Sequence, residues 1–180
     1  DTLKELLDYD ALRAFMKRAL NPYLNPVTRG SATNDDVYFQ TREAQNAHYE
    51  KVADIAADYM AKISEKTGRH YAPFTYYGDP EADRIIIAMG SVTQTVEEVI
   101  DTLNAQGEKL GLIKVHLYRP FSAKYLLKVL PKSVKKIAVL DRTKEMGATG
   151  EPLYLDVCEV LKDTDIEVIG GRYGMGSKDT

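Results

Sequence analysis

The chain has 180 residues, enough for one well-buried domain or for a domain carrying an extension. Hydrophobic residues make up 44% and charged residues 28%, and a formal net charge of −3 lies too near balance to argue for nucleic acid or an anionic membrane as partner. No apolar run approaches the roughly 20 residues of a membrane span and nothing resembles a secretion signal. The single cysteine, Cys158, excludes an internal disulfide, so the expectation is a cytoplasmic protein.

In chain order, Leu3, Leu6, Leu7, Leu12, Phe15, Met16 and Ala19 recur at three- and four-residue steps and predict one helix, continuous or interrupted, over residues 3 to 20. Residues 21 to 36, NPYLNPVTRGSATNDD, collect prolines, asparagines and Gly30 and read as a long loop, functional or held by a neighbour. A second helix is expected from about Thr41 to Lys66, with Val52, Ile55, Ala56, Tyr59 and Ile63 as its apolar stripe and Gly68 as its stop. Residues 1–80 thus read as a helical N-terminal extension packing on a core.

From residue 82 short β-rich runs alternate with helical ones. Strands are expected at 85–89, 113–117, 137–140 and 166–169. Helices are marked by Val96, Val99, Ile100 and Leu103, by Tyr125 to Leu130, and by Leu153, Val157, Val160 and Leu161. Ser91 with Gln94 suggests a capping box, and Pro152 suits a first helical turn. The predicted class is α/β, a mostly parallel sheet flanked by helices over residues 81–170, with residues 171–180 a linker toward a following domain. The closing GGRYGMGSKDT has the glycines of a phosphate cradle, but such a cradle needs a helix after it. A start without Met and an end in that stretch point to an excised piece.

In an open parallel sheet, ligands meet the loops at the carboxyl ends of the strands. Those loops hold Gly90-Ser91, Arg119-Pro120, Asp141-Arg142-Thr143 and Gly170-Gly171-Arg172. If all four strands run parallel, one edge gathers Arg119, Arg142 and Arg172 beside a helix N-terminus at Ser91, a receiver for an anion. The competing and favoured reading has these arginines paired with acidic groups or carbonyls of an adjoining domain. His48, His70 and His116 lack metal-ligand spacing, and Cys158 reads as a core cysteine. Asp35-Asp36 reads as a turn and Glu97-Glu98 as a solvated face. No nucleophile–base pair, phosphate-binding loop or hydrolase motif is visible.

Four long stretches then carry a resemblance: NPVTRGSATNDDVYFQTREAQN, LIKVHLYRPF, VLDRTKEMGATGEPLYLDV and GGRYGMGSKDT. Spread over residues 22 to 180, they closely resemble the second domain of the pyruvate:ferredoxin (flavodoxin) oxidoreductases. The resemblance implies a fold similar to the C-terminal domain of transketolase. It also implies a parent enzyme that oxidatively decarboxylates pyruvate to acetyl-CoA. Such a parent uses thiamine diphosphate, magnesium, iron–sulfur clusters and coenzyme A, and passes electrons to ferredoxin or flavodoxin. The cofactor residues would lie on other domains, so no cofactor is expected in this segment and the isolated chain is expected to be inactive. Asn25 stands where the family more often has histidine, and ATNDD lacks an expected proline.

By that resemblance the chain is a scaffolding segment whose partners are the remaining domains of the parent. Thr28, Arg29, Arg42, Ser91, Arg119, Arg142 and Arg172 are its candidate interdomain or anion contacts. Two other readings stay open: a small-anion or nucleotide-binding module, and a separate subunit of a 2-oxoacid oxidoreductase.

Overall fold

The computed structural model describes residues 1–27 and 32–176. The candidate residues Thr28 and Arg29, and the end of the glycine-rich tail, lie outside the described residues.

The first predicted helix is two: α1 (Thr2–Leu6) and α2 (Tyr9–Lys17). They part at Asp8, whose backbone is extended and whose side chain accepts from the Ala11 amide at 2.9 Å, an N-cap that begins a new helix. The turn after α2 is folded by Asn21, whose Oδ1 accepts from the amides of Tyr23 and Leu24. The second predicted helix is also two, α3 (Asp35–Glu43) and α4 (Asn46–Thr67). It starts earlier than periodicity suggested because Asp35 and Asp36 form no separate turn. They occupy the first turn of α3, where carboxylates complement the positive helix end.

The predicted apolar stripe of α4 is mostly on the outside. Ala53 is buried and Ala56, Ala57, Met60 and Ser64 are half-buried, whereas Val52, Ile55, Tyr59 and Ile63 are exposed. Small side chains let α4 approach the body of the molecule, and the larger ones on the next face are left over. Asp54 fastens it there, accepting from Lys124 Nζ and the Tyr125 hydroxyl, both at 2.7 Å. The helix ends at Gly68 as expected, at φ 70°, a left-handed conformation that glycine adopts without steric cost.

The sheet has five strands, β1 (Phe74–Gly78), β2 (Arg84–Ala88), β3 (Leu110–Val115), β4 (Lys136–Asp141) and β5 (Glu167–Arg172), in the order β1-β3-β2-β4-β5. The four strands predicted from the pattern are parallel to one another. β1 was not expected. It lies inside the stretch read as helical and runs antiparallel to β3, with Phe74 opposite Val115 and Gly78 opposite Gly111. The five residues of β1, Phe74 to Gly78, are too few to show a period, and pairing with β3 supplies what local pattern lacks. β5 likewise continues through Gly171 and Arg172, into the stretch read as linker.

Helices α5 (Val92–Asn104), α6 (Ala123–Val129) and α7 (Pro152–Leu161) connect the parallel strands. Ile85, Ile87, Ile113, Ile137 and Val139 form one face of the sheet and pack against Leu126 of α6 and Leu153, Val157 and Leu161 of α7. Each such fully buried aliphatic chain contributes about 1.5–3 kcal/mol relative to exposure. The other face, at Ala88 and Leu112, meets Val96 and Ile100 of α5. One helix lies chiefly over β1 and β3 there, so among the described residues the outer surface of β4 and β5 is largely without a helix above it.

Candidate functional site: the carboxyl edge of the sheet

Parallel strands bring every β-to-α loop to one edge. The chain goes from β2 through α5 to β3 on one side, and later returns to β4 on the other side of β2. The loops after β2 and β4 therefore diverge to opposite faces, which opens a crevice. It holds about 260 Å³ between Gly90 and Ser91 on one side and Asp141, Arg142 and Thr143 on the other, with Tyr118 and Tyr173 as aromatic walls.

Asp141 is the organising residue, and the sequence pattern passed over it as a candidate. It is 2% exposed, and its two oxygens accept from the amides of Leu153 and Tyr154, each at 3.1 Å. A carboxylate at the end of β4 thus serves the first turn of α7, which begins with Pro152 as predicted. Burial pushes its pKa up, and the two amides offset this only in part. An acid closing a buried apolar strand, as in IAVLD, was the available signal.

The three strand-end arginines are brought to this edge and are engaged within the chain. Arg119, which precedes Pro120 through a cis peptide bond, donates to Asp156 at 2.6 Å. Its guanidinium stacks 4.0 Å from the centre of the Tyr118 ring. Arg172 donates to Glu151 at 2.9 Å, and Glu151 also accepts from the Glu145 amide at 2.7 Å. The Arg172 hydrogen bond, with that amide, holds the Glu151 carboxyl below the usual range. Arg142 uses Nε to donate to the carbonyl of Gly174 at 2.7 Å, tying the tail back to the end of β4. Of the three, only Arg142 lines the crevice.

Ser91 stands at the start of α5, but the expected capping box does not form. Its backbone is already helical, at φ −63° and ψ −28°, which takes the hydroxyl away from the capping position. Arg42 is not at this edge. It lies in the last turn of α3 over the Tyr38 ring, 5.8 Å from its centre. Cys158 is half-exposed, one turn beyond Tyr154 on α7, so it is not the buried core cysteine its neighbours suggested. His116 makes a 3.0 Å hydrogen bond with Thr75, and Glu97 pairs with Lys114 at 2.6 Å instead of lying free on a solvated face. Among the described residues no helix is long and apolar enough to cross a membrane.

A second surface is larger. Neither α2 nor α3 buries any residue, while Leu12, Phe15 and Met16 on α2 and Val37, Tyr38 and Phe39 on α3 are exposed. With the outer stripe of α4, this is far more apolar surface in one part of a chain than scattered exposure produces.

Comparison with known proteins identifies the family. A pyruvate-flavodoxin oxidoreductase of Enterobacter agglomerans is 54% identical over 181 residues, covering 99% of this chain and 15% of its own length. The pyruvate:ferredoxin oxidoreductase of Moorella thermoacetica matches to the same degree and over the same shares. A pyruvate dehydrogenase [NADP(+)] of Cryptosporidium parvum is 46% identical over 185 residues, 99% of this chain and 10% of that protein. A solved 2-oxoglutarate:ferredoxin oxidoreductase of Magnetococcus marinus superposes at a TM-score of 0.42 with 17% identity, over 83% of this chain and 22% of that one. The chain therefore spans about a seventh of the length of the first two relatives. The family model of the pyruvate:ferredoxin oxidoreductase core domain II matches residues 82–180, more than half of the chain, and the chain belongs to that family.

Proposed function

We propose that this chain is a structural, noncatalytic segment of a pyruvate:ferredoxin (flavodoxin) oxidoreductase, holding the other domains of a longer polypeptide around it. The whole enzyme oxidatively decarboxylates pyruvate to acetyl-CoA and delivers electrons to ferredoxin or flavodoxin. The observation that carries the structural role is the apolar surface of α2 and α3. Leu12 is 47% exposed, and Phe15, Met16 and Phe39 are 65–70% exposed, on helices that bury nothing of their own. Short helices of this kind are marginal in water and are stabilised by tertiary packing on an apolar face. The strand-end arginines Arg119 and Arg172 are paired within the chain, with Asp156 and Glu151, instead of waiting for an adjoining domain. Arg42, Ser91 and Arg142, with Thr28 and Arg29, remain the proposed polar contacts at the domain boundaries.

The described residues do not fit an iron–sulfur cluster or a bound metal ion. An iron–sulfur cluster takes about four thiolates, and this chain has one half-exposed cysteine beside Tyr154. Among the described residues no three His, Cys, Asp or Glu side chains gather in a set able to hold a metal ion. The proposal places thiamine diphosphate, magnesium, the clusters and coenzyme A on other domains of the polypeptide.

The test is the double substitution Phe15→Lys with Met16→Lys in the full-length enzyme. Charges on the outer face of α2 leave the core of this domain intact but cannot be buried against a neighbour. The expected result is a lowered melting temperature and loss of activity, with the domain's own sheet still folded by hydrogen exchange. Unchanged stability and activity would remove the structural reading of α2.

A further inference from the structure

The outer edge of β5 has no further strand beside it among the described residues. The phase of its ladder is set at both ends, because the Glu167 amide donates to Lys135 and the Tyr173 amide donates to Asp141, both toward β4. With a period of two, the N–H and C=O groups of Val168, Gly170 and Arg172 point the other way. Edge strands in stable monomers are commonly blunted by lysine, proline or a bulge. Here the edge is Glu-Val-Ile-Gly-Gly-Arg, six residues paired in register with β4 with no lysine, proline or bulge; its two charges, at the ends, are paired with Lys136 and Glu151, and its middle carries none.

The two faces beside this edge differ. On the α7 face, Val168 packs into the core, a side chain at Gly170 would press on the Tyr154 ring, and Arg172 is held by Glu151, so the surface is closed. On the opposite face an apolar groove of about 310 Å³ runs from α5 to β5, between Val99 and Leu103 on one side and Ile86, Ala138 and Ile169 on the other. Ile169, in the middle of the edge strand, is 57% exposed. Three charged residues line the groove, the Lys136–Glu167 pair at 2.8 Å and Arg84, which is held by Asp83 and Glu108; each is paired and the rest of the lining is apolar, which selects for apolar contents.

We propose that this edge is completed by an extended segment from outside these 180 residues, which adds a sixth strand beside β5. Alternate side chains of that segment, which must be apolar, would enter the groove and cover Ile169. An unpaired backbone edge selects an extended backbone, and a contiguous apolar groove on one face selects the side-chain alternation. The source is the same polypeptide, since this chain spans only 15% of relatives that match it from end to end. The proposal rests on the structural role argued above, but uses different residues from those of α2 and α3.

Residue-resolved hydrogen exchange on the full-length enzyme tests it. In an open edge, the outward amides of Val168, Gly170 and Arg172 exchange on the order of a hundredfold or more faster than those of Ile169 and Gly171, which face β4. With a strand added, the two sets are protected alike, and Ile169→Lys releases the outward set while the inward set stays slow. Fast outward amides in the wild type overturn the proposal, and so does protection that survives Ile169→Lys, because the cover then comes from something other than a strand packed over the groove. The same measurement reads α2 and α3. Slow amides there with fast outward amides in β5 would remove the added strand and leave the structural role standing, while fast amides in both regions would remove both.

Discussion

At the scale of single residues, several polar side chains join parts of the chain distant in sequence. His116 is one example: with its Thr75 hydrogen bond it joins the end of β3 to the start of β1. Burial lowers its pKa from the ordinary 6.5, and the charges of Lys114 and His70 lower it further. A depressed histidine favours the fold while neutral. Its contribution is therefore present above 6.5 and is lost as pH falls below that value and through the folded-state pKa. Urea unfolding at about pH 7.5 and about pH 5.5 should show His116→Gln losing less stability on acidification than the wild type. Equal losses would show that other groups set the acid response. That the histidine lacks metal-ligand spacing was legible in the sequence, but its partner was not, because Thr75 lies on the one strand that the pattern missed.

At the scale of elements, periodicity located four of the five strands and the three helices between them. It erred where a short piece takes its structure from a neighbour. β1 is five residues paired to β3, and the outward stripe of α4 looks in sequence like a core-facing stripe. A pattern shows that a helix has an apolar face but not which protein surface covers it. The union of β4 and α7 has a specific physical basis in Asp141, which accepts two amides of the first turn of α7 while buried. Asp141→Ala leaves those two donors without their acceptor and should lower stability by about 1–3 kcal/mol. Hydrogen exchange should place the local loss in the amides of Leu153 and Tyr154. If stability is unchanged, water has replaced the carboxylate and the residue does not organise this edge.

At the scale of the whole molecule, the chain divides into a sheet packed on both sides and a run of helices that pack little on it. Phe74, Ile87, Leu112, Ile113, Leu126 and Val157 are at most 1% exposed, whereas α2 and α3 bury nothing. Limited proteolysis of the chain alone should first cut within residues 9–45, leaving a resistant fragment that contains all five strands. Simultaneous loss of both regions would mean that the helices are integral to the sheet domain. The sequence by itself determined the α/β class, the parallel run of four strands and the gathering of three arginines at one edge, because alternating short-range periods and loop positions encode these directly. Only the tertiary structure decided what the arginines do. Arg119 finds Asp156, Arg142 the Gly174 carbonyl and Arg172 Glu151, across separations of 37, 32 and 21 residues. It alone also showed the open edge of β5 and the outward face of α4, because which surfaces remain uncovered depends on how every element packs at once.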